Sequence, residues 1–343
     1  MGRAVVFVVA LSLAAIASGA PGRASGERAR RQTSADGRGQ PRDEHQHGDW
    51  FFVAVLRSDG VLVPFATYWQ GFWLTPWPAP EGTPPETNDL TNLPEAWFAQ
   101  YEGQTTDWHA NGPALRRRLK LRAARAVEVE NHCGKNWGLQ TDYAGETYKP
   151  NEHHRNVGVA ASAPVEIVAP VKLDARGQAS VTSVIRRRFE EDERTWLARP
   201  DFARQAKLFP AAAARARRAP EIKTLYRVDA SGGRRLYYFV AERRYPKPRG
   251  AEDEACESVS AMTGMLMQAG PGAAPLLVER QFALSDCDGK ERGSSGLPLG
   301  LVREGKREFL IMEEHGYANE GYTIMEVLDK TFRRLREVTG GGC

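Results

Sequence analysis

The feature that most constrains this chain is a pair of strand-like runs with no polar face. Residues 50–56 (Trp-Phe-Phe-Val-Ala-Val-Leu) and 61–68 (Val-Leu-Val-Pro-Phe-Ala-Thr-Tyr) flank Asp59-Gly60, a dipeptide that favours a tight β-hairpin. A hairpin with one face in water alternates apolar and polar residues. This one does not, so both of its faces must be covered. Trp69-Gln70-Gly71-Phe72-Trp73 reads as a second tight turn onto a third strand, and residues 76–94, rich in Pro, Thr, Glu and Asn, as a long surface loop.

Residues 115–131 alternate. Leu119, Leu121, Ala123, Val127 and Val129 stand between Lys120, Arg122, Glu128 and Glu130, which is the period of a strand. The basic residues from Arg116 to Arg125 are then a solvated strand face. No aromatic side chain interleaves them, so nucleic acid is not an expected partner. Further strands are predicted within residues 157–171 and at 222–228, 235–245, 258–268, 276–284, 300–302 and 309–313. A closing hairpin turns at Asp329-Lys330. Residues 186–219 change character: carboxylates stand among arginines, and Pro210 precedes an Ala and Arg run that favours helix. The expected fold is mainly β with a short helical insertion near residues 186–219. It closes in a propeller-like way, or divides into two packed β domains over 50–185 and 220–343.

Residues 1–19 read as a secretory signal, with Arg3 ahead of an apolar run over 4–17 and small residues after it. Cleavage before Ala20 is expected. The apolar run is too short to span a bilayer, and no later stretch is longer, so the protein is not expected to be an integral membrane protein. Residues 20–49 hold almost no large apolar side chain and read as a disordered tether, with His45 and His47 as an adventitious metal binder. The β-rich body occupies 50–343, outside the cytoplasm, secreted or periplasmic. With 41% hydrophobic and 26% charged residues the chain is globular, and its net charge of +4 is too small to imply a polyanionic partner.

Familiar catalytic frameworks are missing from the sequence. There is no Walker loop, no G-x-G-x-x-G after a strand, no G-x-S-x-G, no H-E-x-x-H and no C-x-x-C. Neighbouring His132 and Cys133 would point to opposite faces of a strand, and Glu152-His153-His154 lacks the helical offset of a zinc motif. Asp286 and Asp288 ahead of Gly289, with Glu291 beyond, begin as a calcium loop begins, but the glycine arrives before a third oxygen ligand. A capped turn is the plainer reading of that segment. No cofactor is expected, and calcium at Asp286, Asp288 and Glu291 is the one ion the sequence offers.

Seven of the eight tryptophans lie between Trp50 and Trp137. Trp69, Trp73, Trp77, Trp97 and Trp108 are the candidate ligand contacts, since exposed aromatics stack on sugar rings. Packing in the β core is the competing role. The expectation is a secreted, non-catalytic binding or scaffold protein whose partner is an extracellular polysaccharide or a protein. The alternative is a secreted hydrolase of envelope polymers, with loop-borne acid and base groups such as Glu313, Glu314 and Glu320 around His315.

Export makes oxidised cysteine the default. The strands at 258–268 and 276–284 fold about the turn at 270–275, which brings Cys256 and Cys287 to the same open end. Cys133 and Cys343 remain, the latter on a glycine arm that reaches back to Cys133, pairs between molecules or stays free. Non-reducing peptide mapping should find Cys256 linked to Cys287. A peptide linking Cys256 to Cys133 or Cys343 would show that the hairpin is misread.

Overall fold

The β-branched and aromatic runs form seventeen strands among the residues that the computed structural model describes: 50–74, 107–112, 115–131, 134–145, 156–207, 209–246, 258–285, 295–315 and 319–342. Contacts group Gln46–Cys343 in one unit. The expected signal, tether and loop at 76–94, and His45, His47, His132, His153 and His154, lie outside the described residues.

Strands β1 (Trp50–Arg57) and β2 (Val61–Trp69) make the expected hairpin. Gly60 takes the left-handed turn conformation at φ 86°, and its N–H reaches the Arg57 carbonyl at 3.1 Å. The second turn also forms: Gln70 and Gly71 both have positive φ, and β3 (Phe72–Leu74) pairs back on β2. The other edge of β1 receives β7 (Asn156–Ala161), which pairs with β4 (Asp107–Gly112), then β5 (Leu115–Asn131) and β6 (Gly134–Thr141). Strand β6 returns to Val61 and Leu62 of β2, so six strands close into a barrel. Closure therefore takes the form of a barrel, with its two long-range seams at β1–β7 and β2–β6.

Two antiparallel five-stranded sheets follow. One is a meander of β10 (Glu221–Asp229), β11 (Arg235–Tyr245), β12 (Ser258–Gln268) and β13 (Leu276–Ser285), with β9 (Val171–Lys172) on its edge. The other is a meander of β14 (Ser295–Glu304), β15 (Arg307–His315), β16 (Asn319–Val327) and β17 (Phe332–Gly342), with β8 (Glu166–Val168) on its edge. Strands β8 and β9 are consecutive, so one short segment stitches the two sheets together. Pro298 falls at a bulge in β14, where the ladder can spare its missing N–H.

The layers follow from alternation. Phe309 and Ile311 of β15 pack into the barrel core, whereas Leu310 and Met312 between them pack against the other sheet. Strand β11 repeats the device: Leu236 and Tyr238 face β14–β17, while Tyr237, Phe239 and Ala241 face a third core. That third core is roofed by helix α1 (Ala179–Leu197), whose Val181, Ile185 and Phe189 recur every four residues and are buried. Short helices α2 (Ala203–Ala206) and α3 (Ala212–Ala216) complete the insertion. The order is barrel, sheet, sheet, helix.

Buried charges pin adjacent layers. Glu193 of α1 accepts hydrogen bonds from Tyr245 Oη at 2.7 Å, Ser260 Oγ at 2.6 Å and Arg243 Nη1 at 2.6 Å. Glu308 of β15 accepts from the backbone N–H and hydroxyl of Ser231, in the β10–β11 turn, at 2.7 and 2.8 Å. It also pairs with Arg234 at 2.7 Å and Arg303 at 2.9 Å. Burial works to raise its pKa, but the donors, led by Arg303 and Ser231, outweigh burial and hold it below the usual carboxylate range. A depressed folded pKa stabilises above the unfolded value and is lost as pH falls through the folded one. Glu308→Gln should therefore lower stability at pH 7 by about 3 kcal/mol. In denaturant titrations its deficit against the unmodified protein should shrink below about pH 4.5. A deficit independent of pH would show that shape, not charge, is what Glu308 contributes.

Candidate functional site

One cleft between the two meanders combines an apolar floor with a charged rim. Its volume is about 270 Å³. The floor is Tyr238 of β11, Met265 of β12, Met312 of β15 and Met325 of β16, all buried. The rim carries Glu279 and Arg280 of β13, Glu314 of β15 and Arg334 of β17. Sheet alternation puts Glu314 there, on the same face as Met312 and Leu310.

Tyr238 is placed by Gly296 of β14, whose N–H donates to the phenol oxygen at 3.0 Å. A Cβ on Gly296 would stand 2.9 Å from the Glu313 carbonyl oxygen, so a side chain there would force the strands to shift. Burial pushes the Tyr238 pKa up to about 12, against the Gly296 hydrogen bond and with a further push from the Glu314 charge. At neutral pH the hydroxyl is a neutral donor at the bottom of the cleft.

On the rim, Arg334 Nη2 lies 3.0 Å from Glu279, and its Nη1 lies 3.3 Å from Glu314 and 2.7 Å from Glu337. Burial opposes the Arg334 charge, but the hydrogen bonds to Glu279 and Glu337 outweigh it and raise its pKa. Arg280 is matched separately by Asp192 of α1 at 2.5 Å. One guanidinium thus serves three carboxylates, of which Glu279 and Glu314 line the cleft, and with Arg280 paired to Asp192 the lining keeps one carboxylate in excess.

Of the suspected acid and base groups, Glu313 and Glu314 are parted. Glu313 and Glu314 leave β15 on opposite faces: Glu313 is 1% exposed and accepts from Asn156 Nδ2 of the barrel strand β7 at 2.5 Å. Glu320 pairs in register with His315, but the side chains of both lie outside the described residues.

Trp108 is fully buried, 6.5 Å from the Phe52 ring, and Trp73 packs edge-on to Phe309 at 5.1 Å. Neither indole N–H finds an acceptor among the described residues, so these side chains serve the core through their area. Trp69 is 47% exposed beside Phe72 at 66%. Trp77, Trp97, the candidate ions' ligands Asp286, Asp288 and Glu291, and Cys133, Cys256, Cys287 and Cys343 lie outside the described residues. The hairpin behind the proposed disulfide is present, with Val259 opposite Ser285 at its open end.

No family profile, curated protein or solved structure matches the chain. Among the described residues no helix is long and apolar enough to cross a membrane.

Tyr238→Phe should leave the buried Gly296 N–H without its acceptor and cost about 1–3 kcal/mol in chemical denaturation. An unchanged midpoint would mean that the hydroxyl does nothing to join the sheets.

Proposed function

We propose that this chain is an exported, non-catalytic binding protein whose site is the cleft between the meanders. Its ligand is a small molecule with a flexible apolar body and a cationic end. The observation that carries the reading is the charge balance of the rim: with Arg280 paired to Asp192, Glu279 and Glu314 share Arg334 above a floor of three methionines and a phenol. Thioether side chains adapt to irregular apolar shapes, and an acidic mouth favours a cation. The volume sits near the lower bound of small-molecule pockets, which limits the ligand to fragment size. Binding is favoured over hydrolysis because Glu279 and Glu314 are both committed to one guanidinium, and Glu313 lies on the far side of the sheet. Export rests on the signal-like residues 1–19.

Calorimetry with phenethylamine and with phenylpropanoate, its carboxylate counterpart, tests the reading. The amine should bind and the carboxylate should not. Glu314→Gln should weaken the amine about tenfold, about 1.4 kcal/mol. Met312→Trp should fill the floor and abolish binding. Equal binding of both probes, or an amine affinity indifferent to both substitutions, would overturn the proposal.

A further inference from the structure

The chain-wide charge hides a local concentration on the outer face of β5. Strand pairing sets Lys120 opposite Asp107, Arg118 opposite His109 and Arg116 opposite Asn111, so these six side chains share one face. Arg122 continues the alternation, and Arg116, Arg118, Lys120 and Arg122 are all exposed. At the antiparallel rise, alternate residues stand about 6.8 Å apart, so the row places four cations along about 20 Å.

A face that is merely solvated mixes signs. Arginines elsewhere in this protein commonly have a carboxylate close by: Arg199 has Asp201, Arg244 has Glu242 and Arg333 has Glu326. Along the row only Arg118 is matched, by Asp107 at 2.5 Å, whereas Arg116, Lys120 and Arg122 have no ion-pair partner among the described residues. Burial, with the charge of Arg118, depresses the pKa of His109, so the row's charge at neutral pH comes from its arginines and lysine. Beside the row runs a groove of about 300 Å³ that includes His109, Asn111, Arg116 and Arg118, with Val165, Ile167 and Glu166, whose charge is paired with Arg303, on its other wall. Asn111 is held there by its hydrogen bond to the Ile167 carbonyl at 2.5 Å.

We infer that this face docks a linear anionic polysaccharide, its charges running along Arg116, Arg118, Lys120 and Arg122 and its sugar rings resting in the groove. A polymer with a regular charge repeat meets several cations of the row at once, which a single small anion cannot do. Among the described residues no aromatic side chain stands on this face to stack a base, so a polysaccharide fits it better than a single-stranded nucleic acid. The site is separate from the intersheet cleft and stands or falls independently of it.

The test is retention of the full chain on immobilised polygalacturonate across a salt series. Binding is expected at low salt, weakening steadily as salt rises. Replacing Arg116, Lys120 and Arg122 together by Glu should reduce affinity at least tenfold, and the milder triple change to Gln should reduce it in the same direction if the Glu variant folds poorly. Reversing Arg186 and Arg187, exposed on α1, should leave binding unchanged. An equal loss from that control would reduce the effect to net charge and overturn the proposal. So would no binding at low salt, or stronger competition by single-stranded DNA than by free polygalacturonate at equal charge.

Discussion

The sheet of β14–β17 is apolar on both of its faces, and the rest of the molecule is arranged around that fact. Alternate residues of β15 are apolar in both directions: Phe309 and Ile311 one way, Leu310 and Met312 the other. Leaving either row in water would forfeit about 1.5–3 kcal/mol for each large side chain. Two covers are therefore required. The barrel supplies one through Phe65 and Tyr68, whose rings meet Tyr322 at 5.1 Å and Phe309 at 5.7 Å. The β10–β13 sheet supplies the other and is itself apolar on both faces, which is why a helix must roof it.

Polar groups fix how these layers meet. Apolar faces are non-directional and tolerate sliding, whereas Glu308 has saturated its carboxylate with donors from the β10–β11 turn and from β14 and fixes one alignment. Glu193 does the same for the helix. Where the two meanders stop filling the space between them, the cleft opens, and alternation on β15 delivers Glu314 to its rim while sending Glu313 into the barrel interface. The site is a by-product of the same period of two that builds the layers.

Local structure was legible wherever turn chemistry and strand period agreed. The hairpin at Asp59-Gly60, the turn at Gln70-Gly71, the strand at 115–131 and the hairpin at Asp329-Lys330 all form at the expected places. The helix begins at Ala179, earlier than residue 186, and the sequence hides that start because the opening turns contain Val181, Thr182, Val184 and Ile185. Those β-branched residues mimic a strand, and only their burial at every fourth position reveals a helix. Barrel closure was not legible, since pairs such as Val53 with Ala161 join distant segments with no local signal. The separation of Glu313 from Glu314 could have been read from strand alternation alone. The cleft could not, because β11, β13, β15 and β17 each contribute to it from separate parts of the chain.

The central claim is that the β14–β17 sheet cannot stand without both of its covers, so that barrel, sheets and helix unfold together. Native-state hydrogen exchange tests it most directly. The amides of β15 and β16 should exchange only through global unfolding, with the same free energy and denaturant dependence as those of β2 and β11. A sub-global opening that releases the barrel strands or β10–β13 while β15 stays protected would contradict it, because the middle sheet would then persist with an apolar face in water.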